Sequence, residues 1–312
     1  MSRKIRFLKS QVLDLEQKIS DAKFAQKKDE VKERVKDSAE QGENKEGNGD
    51  EGEDNLSWGP HKLAIIVPYR ERFEELMEFL PYMHKYLNMQ SIRHQFIIVN
   101  QIDSHRFNRA SLINIGFLHS KEDCDYIVLH DVDLLPKNTK ISYTFPMVEE
   151  GPHHVSAPDL HPKYHYKTFV GGILMMKSDT FQKLNGLSNL FWGWGREDDE
   201  LYLRMQELNL KISRPEGITT GYDTFYHIHD REKRKRDMTR YGNQHKESFK
   251  RDRLTGLDTV EYELRSSQKL SVDGATATIL HVELDCNKDL TPWCDPPAPV
   301  KVMKQKQGAK KP

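Results

Sequence analysis

Three short runs constrain this chain more than any other feature: LAIIV at 63–67, QFIIVN at 95–100 and YIVLHD at 126–131. Each is continuously apolar and rich in β-branched residues, as expected of a strand buried on both faces. Amphipathic stretches of helical period separate them, so the pattern predicts βαβ units and a parallel sheet covered by helices on both sides. The fold class expected is therefore α/β. Sheets of this kind bind ligands beyond the carboxyl ends of their strands, which directs attention to the residues following each run.

The first run is followed by Pro68, Tyr69, Arg70, Glu71 and Arg72, the second by Asn100, Gln101 and then Phe107, Asn108 and Arg109, the third by Asp131, Val132 and Asp133. Arginines at such tips suit phosphate or carboxylate, because guanidinium presents fixed paired donors to planar oxygens. One such arginine reads first as a surface ion pair; several at adjacent tips favour an anionic ligand. Asp131 and Asp133 alternate in direction at a strand end, so at least one faces the crevice. Hard carboxylate oxygens there suit magnesium or manganese, which would neutralise a nucleotide diphosphate. His227 and His229 follow the apolar-aromatic stretch 222–226, and on an extended segment their imidazoles point the same way. Two such ligands can complete a metal shell and shift its preference toward manganese or a later metal. The bland alternative is two surface histidines on a strand.

Phe191 to Glu200 (FWGWGREDDE) sets two tryptophans among glycines before four acids that open a helical pattern. Helix capping by Asp198 or Asp199 and the helix dipole account for the acids. They do not account for the tryptophans. Aromatic faces stack on sugar rings, glycines let backbone approach closely, and a neighbouring carboxylate can take a proton from a sugar hydroxyl. The basic stretch 231–236 reads as a solvated turn, one arginine of which can reach a phosphate.

Lysine plus arginine equals aspartate plus glutamate at 48 each, which leaves no global field to attract nucleic acid or an anionic membrane. Residues 1–37 carry Ile5, Leu8, Val12, Leu15 and Ile19 at spacings of three and four, a short coiled-coil seam or a solvated amphipathic helix. Residues 38–60 are expected to be a flexible linker, since 38–57 hold seven acids and four glycines and little to bury. Asn55-Leu56-Ser57 matches a glycosylation sequon. Cys124, Cys286 and Cys294 are too few for a disulfide framework, although the last two can bridge. No run of 18 apolar residues and no signal-peptide core occurs, so the expectation is a soluble chain without a membrane anchor.

In order along the chain, PYRER, FNRA, HDVDLLP, FVGGILM, FWGWGREDDE and HIHD resemble the β-1,4-galactosyltransferase family of GT-A glycosyltransferases, over roughly residues 61–295. The HxH element, the GREDD form and the closing LDCNKDLTPWC resemble its branch acting on xylose in the glycosaminoglycan linker of proteoglycans. The resemblance implies the GT-A nucleotide-diphospho-sugar transferase fold, a Rossmann-like mixed sheet flanked by helices. It implies Mn2+ held by Asp133, His227 and His229, and UDP-galactose contacted by these and by Pro68, Tyr69, Arg70, Glu71, Arg72, Phe107, Asn108, Arg109, Val132, Tyr164, Trp194 and Arg236. The acceptor would meet Tyr164, Tyr166, Trp194, Gly195, Arg196, Glu197, Asp198 and Asp199, with Asp198 as catalytic base, and Cys286 would pair with Cys294. The implied activity is inverting transfer of galactose to the 4-hydroxyl of xylose, on proteoglycan core proteins or β-xylosides. Sister transferases that use N-acetylglucosamine as acceptor or N-acetylgalactosamine as donated sugar share the motifs, and an inactive sugar- or nucleotide-binding module is the reading from another class. Family members are type II proteins of the Golgi lumen, from which this chain departs in showing no anchor; residues 1–37 would serve as a stem able to self-associate, and 296–312 as a disordered basic tail. Two closing loops are also implied, with Gly193, Gly195, Gly217 and Gly221 as hinges.

Overall fold

The three apolar runs form the middle of one sheet: β1 (Lys62–Tyr69), β2 (Arg93–Gln101) and β3 (Tyr126–His130), parallel, with β1 between the other two. The computed structural model describes residues 54–218, 224–230 and 232–296; the expected stem, most of the linker, the tail past 296, Gly221 and Arg231 lie outside these. Side chains of β1 alternate between two cores. Leu63, Ile65 and Val67 pack with Leu76, Phe79, Leu80 and Met83 of helix α1 (Phe73–Asn88). Ala64 and Ile66 pack on the opposite face with Ala110, Ile113 and Phe117 of helix α2 (Arg109–Leu118). There α2 lies so close that a Cβ on Gly116 would stand 2.4 Å from Ile66 Cγ2, which is why a glycine sits inside this helix.

Six further strands complete the described sheets: β4 (Leu134–Pro136), β5 (His153–His154), β6 (Ile173–Lys177), β7 (Phe225–His227), β8 (Tyr262–Val272) and β9 (Ala275–Leu284). The large sheet runs β5-β6-β3-β1-β2-β9-β8, and β4 pairs with β7 apart from it. Strand β9 is parallel to β2, whereas β6, β5 and β8 run antiparallel to their neighbours, so the sheet is mixed as expected. A third core under β2 and β9 takes in Ile97, Val99, Leu280, Val282, Trp192 and Trp293. Cys286 and Cys294 are disulfide-bonded, and Cys124 is buried and free. Asp54 pairs with Lys62 at 2.9 Å and Arg93 at 2.7 Å, so residues 54–60, read above as part of a flexible linker, are tied to the starts of β1 and β2. No described helix is long and apolar enough to cross a membrane.

Strand order reverses at β1, and the crevice therefore opens beyond the carboxyl ends of β1, β2 and β3. Helix α3 (Ser178–Lys183) follows β6, and helix α4 (Glu197–Glu207) closes one side of the crevice. A buried ion pair anchors α4: Arg204 and Glu200 are 4% and 3% exposed and meet at 2.9 Å, and Arg204 also donates to the carbonyls of Asn185, Gly186 and Thr255. Glu200 also meets Arg251, and Arg204 meets Asp252 at 3.7 Å, so deleting one partner unbalances a buried charge cluster. Arg204→Leu is expected to lower unfolding free energy by about 3–5 kcal/mol in urea titrations, and Arg204→Leu with Glu200→Leu by less.

Candidate active site

Two supports carry the candidate residues. On one side β4 and β7 form a short antiparallel ribbon in which Leu134 faces His227, and the Ile228 N–H donates to the Asp133 carbonyl at 2.9 Å. This pairing brings together residues far apart in the chain. The Asp133 carboxylate lies 3.7 Å from His227 Nε2 and 3.2 Å from His229 Nδ1, and the two imidazoles are stacked with centroids 5.5 Å apart. Both rings thus point one way, as the HxH spacing predicts. Burial would raise the Asp133 carboxyl, but hydrogen bonds and charge from both histidines outweigh it and hold the group well below the usual carboxylate range. One carboxylate oxygen and two imidazole nitrogens make a donor set that suits Mn2+ better than Mg2+.

On the other side, α4 begins at Arg196 in the left-handed region (φ 81), held there by a bond from Nε to the Ser248 carbonyl and by stacking of its guanidinium on Phe249. The turn places Glu197, Asp198 and Asp199 on the helix's first turn, where its dipole favours negative charge. Asp198 lies against the FVGGILM segment: a Cβ on Gly171 would stand 2.7 Å from Asp198 Oδ2. Burial first, then the charges of Glu197 and Asp199, push the Asp198 carboxyl up to about 7. Partial burial and the same acids raise the Tyr166 phenol, which keeps it a protonated donor beside them.

Arg109 joins the two sides. Its guanidinium meets Asp131 at 2.7 Å and Glu197 at 3.8 Å. Asp131, the first acid of the DxD, is therefore engaged by protein, and Asp133 is the one set against the histidines.

A single cleft of about 500 Å³ is lined by every residue expected above at the metal, donor and acceptor positions, except Tyr69 and Asn108. Asn108 is fully buried and caps α2, accepting from the Ser111 N–H at 3.0 Å while its amide donates to the Asn189 carbonyl. Tyr69 packs toward the α1 core. These two side chains thus stand apart from the cleft: helix capping and core packing claim them. Two of the arginines expected at the donor are engaged by the protein itself. Arg70 donates to the carbonyls of Gln101, Asp103 and His105 and to the Asp103 carboxylate, so it fixes the cleft wall rather than leaving its fork free for phosphate. Arg236 instead lies over the Trp194 ring at 4.9 Å and the Tyr164 ring at 5.8 Å.

Sequence reasoning passed over His161, Phe169, Gly171, Lys235, Asp237 and Arg240, all of which line the cleft. His161 Nδ1 accepts from the N–H groups of Lys163 and Tyr164, each at 3.0 Å, and so shapes the turn presenting Tyr164. A second, smaller hollow of about 240 Å³ beside Trp192 and Leu254 holds none of the metal-binding candidates. His105 and Asp295 lie near Cys286 and Cys294, but those sulfurs are committed to the disulfide.

Residues 20–146 match the N-terminal region of glycosyl transferase group 7, and residues 151–228 the N-terminal domain of galactosyltransferase. The chain is 56% identical over 242 residues to Mus musculus beta-1,4-galactosyltransferase 7, covering 78% of this chain and 73% of the mouse protein. It is 48% identical over 239 residues to Caenorhabditis elegans xylosylprotein 4-beta-galactosyltransferase, covering 75% and 82% respectively. A crystal structure of a Drosophila beta-1,4-galactosyltransferase 7 mutant in complex with manganese, UDP-Gal and xylobiose matches this structure with a TM-score of 0.74 at 48% identity, over 76% of this chain and 99% of that one.

The raised Asp198 carboxyl has a stability consequence. Its folded pKa, about 7, exceeds the ordinary 3.8, so ionising it costs the fold stability progressively as pH rises between those values and fully above about 7. Metal-free Asp198→Asn protein is expected to be more stable than wild type by roughly 1–3 kcal/mol at pH 8, with the gain vanishing near pH 4. Denaturant titrations across that range check it; a gain independent of pH would contradict the assignment.

Proposed function

The chain belongs to the β-1,4-galactosyltransferase family, and on that premise we propose that it transfers galactose from UDP-galactose to the 4-hydroxyl of xylose, with inversion and dependence on manganese. The observation that carries the reading is one cleft with an aspartate set between two imidazoles on one side and a carboxylate of raised proton affinity on the other. Asp133, His227 and His229 would hold the cation. Bound there, manganese supplies positive charge that stabilises the departing diphosphate.

This chain's own groups do the rest. Asp198 accepts the proton from the xylose 4-hydroxyl as that oxygen attacks the anomeric carbon, forming the new C–O bond while the bond to UDP breaks. UDP-galactose is α-linked, so a single displacement from the opposite face yields the β-product and leaves no sugar on the enzyme. A carboxyl poised near neutral pH is a stronger base than an ordinary aspartate and is still ionised often enough to act. Trp194 and Tyr166, 37% and 44% exposed, offer their faces to the acceptor ring, and Tyr164 and Arg236 flank the donor side. Arg109 keeps Asp131 and Glu197 compensated, leaving Asp198 as the base.

The natural acceptor on this reading is xylose on proteoglycan core protein, and the setting is the Golgi lumen. Residues 61–295 form the catalytic domain, 1–37 a stem able to self-associate, 38–60 a linker whose last residues, 54–60, are held to that domain, and 296–312 a basic tail.

Purified protein incubated with UDP-galactose, Mn2+ and a β-xyloside should yield a β-1,4-linked product by NMR, and a β-N-acetylglucosaminide should serve much less well. Preference for the glucosaminide would move the chain to a sister branch, and absence of manganese-dependent UDP release would make it an inactive binding module. Asp198→Asn is expected to retain UDP binding and lose a factor on the order of 10² to 10⁴ in turnover. Chelation with EDTA should abolish transfer, and full activity in chelator would overturn the metal assignment.

A further inference from the structure

Arg106 is 5% exposed and plays no part in the chemistry above, yet four of its N–H groups are satisfied by separate partners. Nε donates to the Asp237 carboxylate at 2.5 Å, Nη1 to Gln244 Oε1 at 2.9 Å and to the Trp293 carbonyl at 3.1 Å, and Nη2 to the Thr239 carbonyl at 2.8 Å. Its guanidinium also lies over the Tyr241 ring at 5.0 Å, and its backbone N–H donates to the Cys294 carbonyl at 2.8 Å. One side chain thus ties the 237–244 segment to the disulfide-closed segment that ends at Cys294.

The Trp194 loop sits on this tie. A Cβ on Gly193, where φ is +80, would stand 2.0 Å from Arg106 Nη2, so the glycine is there to let the guanidinium in. The Trp194 N–H donates to the Asp237 carbonyl at 2.9 Å, and the Trp194 carbonyl accepts from Arg240 Nη2 at 2.7 Å. Both backbone groups of Trp194 are therefore held by the segment that Arg106 holds. The geometry points to Arg106 as a positioning residue for the acceptor: it sets where the Trp194 wall stands by clamping the 237–244 segment beneath Gly193. Lysine keeps the charge but lacks the planar fork, and cannot reach four acceptors in these directions.

This inference rests on the acceptor role given to Trp194 above, and the test separates the two. Wild type, Arg106→Lys, Asp237→Asn and the double variant are compared in galactosyl transfer to a β-xyloside and in amide hydrogen exchange at Gly193 and Trp194. Arg106→Lys should raise KM for the xyloside by about tenfold, and KM for UDP-galactose by no more than about twofold, with faster exchange at both amides. Asp237→Asn, at a carboxylate 39% exposed and so tolerant of change, should shift both readouts the same way but less. The double variant should be no worse than Arg106→Lys alone, because both changes break one contact. A purely structural role would lower Tm and the active fraction but leave the KM of the folded enzyme unchanged; that result, additive effects, or an equal rise in both KM values would overturn the inference. If wild type transfers nothing to the xyloside, the acceptor reading above falls, while unchanged exchange at the two amides in Asp237→Asn would sink the clamp by itself.

Discussion

A half-buried guanidinium between two sets of acids is what the rest of this site depends on. Asp131, Asp133, Glu197, Asp198 and Asp199 all face one cleft, and like charges a few ångströms apart repel by several kcal/mol even at the moderate effective dielectric near a protein surface. Arg109 takes up Asp131 from the strand end and Glu197 from the helix start. Burial works against its charge, but the two carboxylates more than offset this and raise its affinity for the proton. What remains is divided by environment. Asp133 is drawn to full ionisation by two imidazoles, and Asp198, buried and flanked by Glu197 and Asp199, holds its proton to near neutrality. On the proposed function, two aspartates in one cleft thereby receive opposite tasks, one to grip a cation and one to accept a proton.

Each of the two sides has its own scaffold. The proposed metal side hangs on the β4–β7 ribbon, three residue pairs long, whose alternation aims His227 and His229 together. The base side hangs on α4, whose far end is fastened by the Glu200–Arg204 pair and the carbonyls around it. Because Arg109 is the first residue of α2 and also touches both sides, a core helix reports directly on the relative placement of cation and base.

The parallel centre of the fold was legible because β1, β2 and β3 are buried on both faces and so are continuously apolar. Strand β8 was not, since it is an edge strand whose residues YELRSSQKLSV are mostly exposed, and β9 alternates with burial in a way that any half-buried strand would. Asp133, His227, His229 and Asp198 could be singled out because each belongs to a short motif whose spacing carries chemistry. Their meeting could not be read from those motifs alone, for it depends on a three-residue ribbon with little pattern of its own. Asn108 and Tyr69 lie outside the cleft lining for one reason: a residue adjacent to a cleft residue need not share its direction, and helix capping or a core claimed the side chain first. Arg106 went unread because nothing local marks an arginine whose partners stand more than a hundred positions later.

Strand β9 lies inside the sheet, parallel to β2, although it is the last of the described strands. A ribosome therefore releases every residue of the proposed chemistry, as far as Arg236, before the strand that covers β2 exists. Until then Ile97 and Val99 lack their partners Leu280 and Val282, and Trp192, which leads into the Trp194 loop, lacks Trp293. A nascent chain would hold its full catalytic complement and still wait with a wet flank, so a premature stop well past the last working residue would still leave the sheet open at β2.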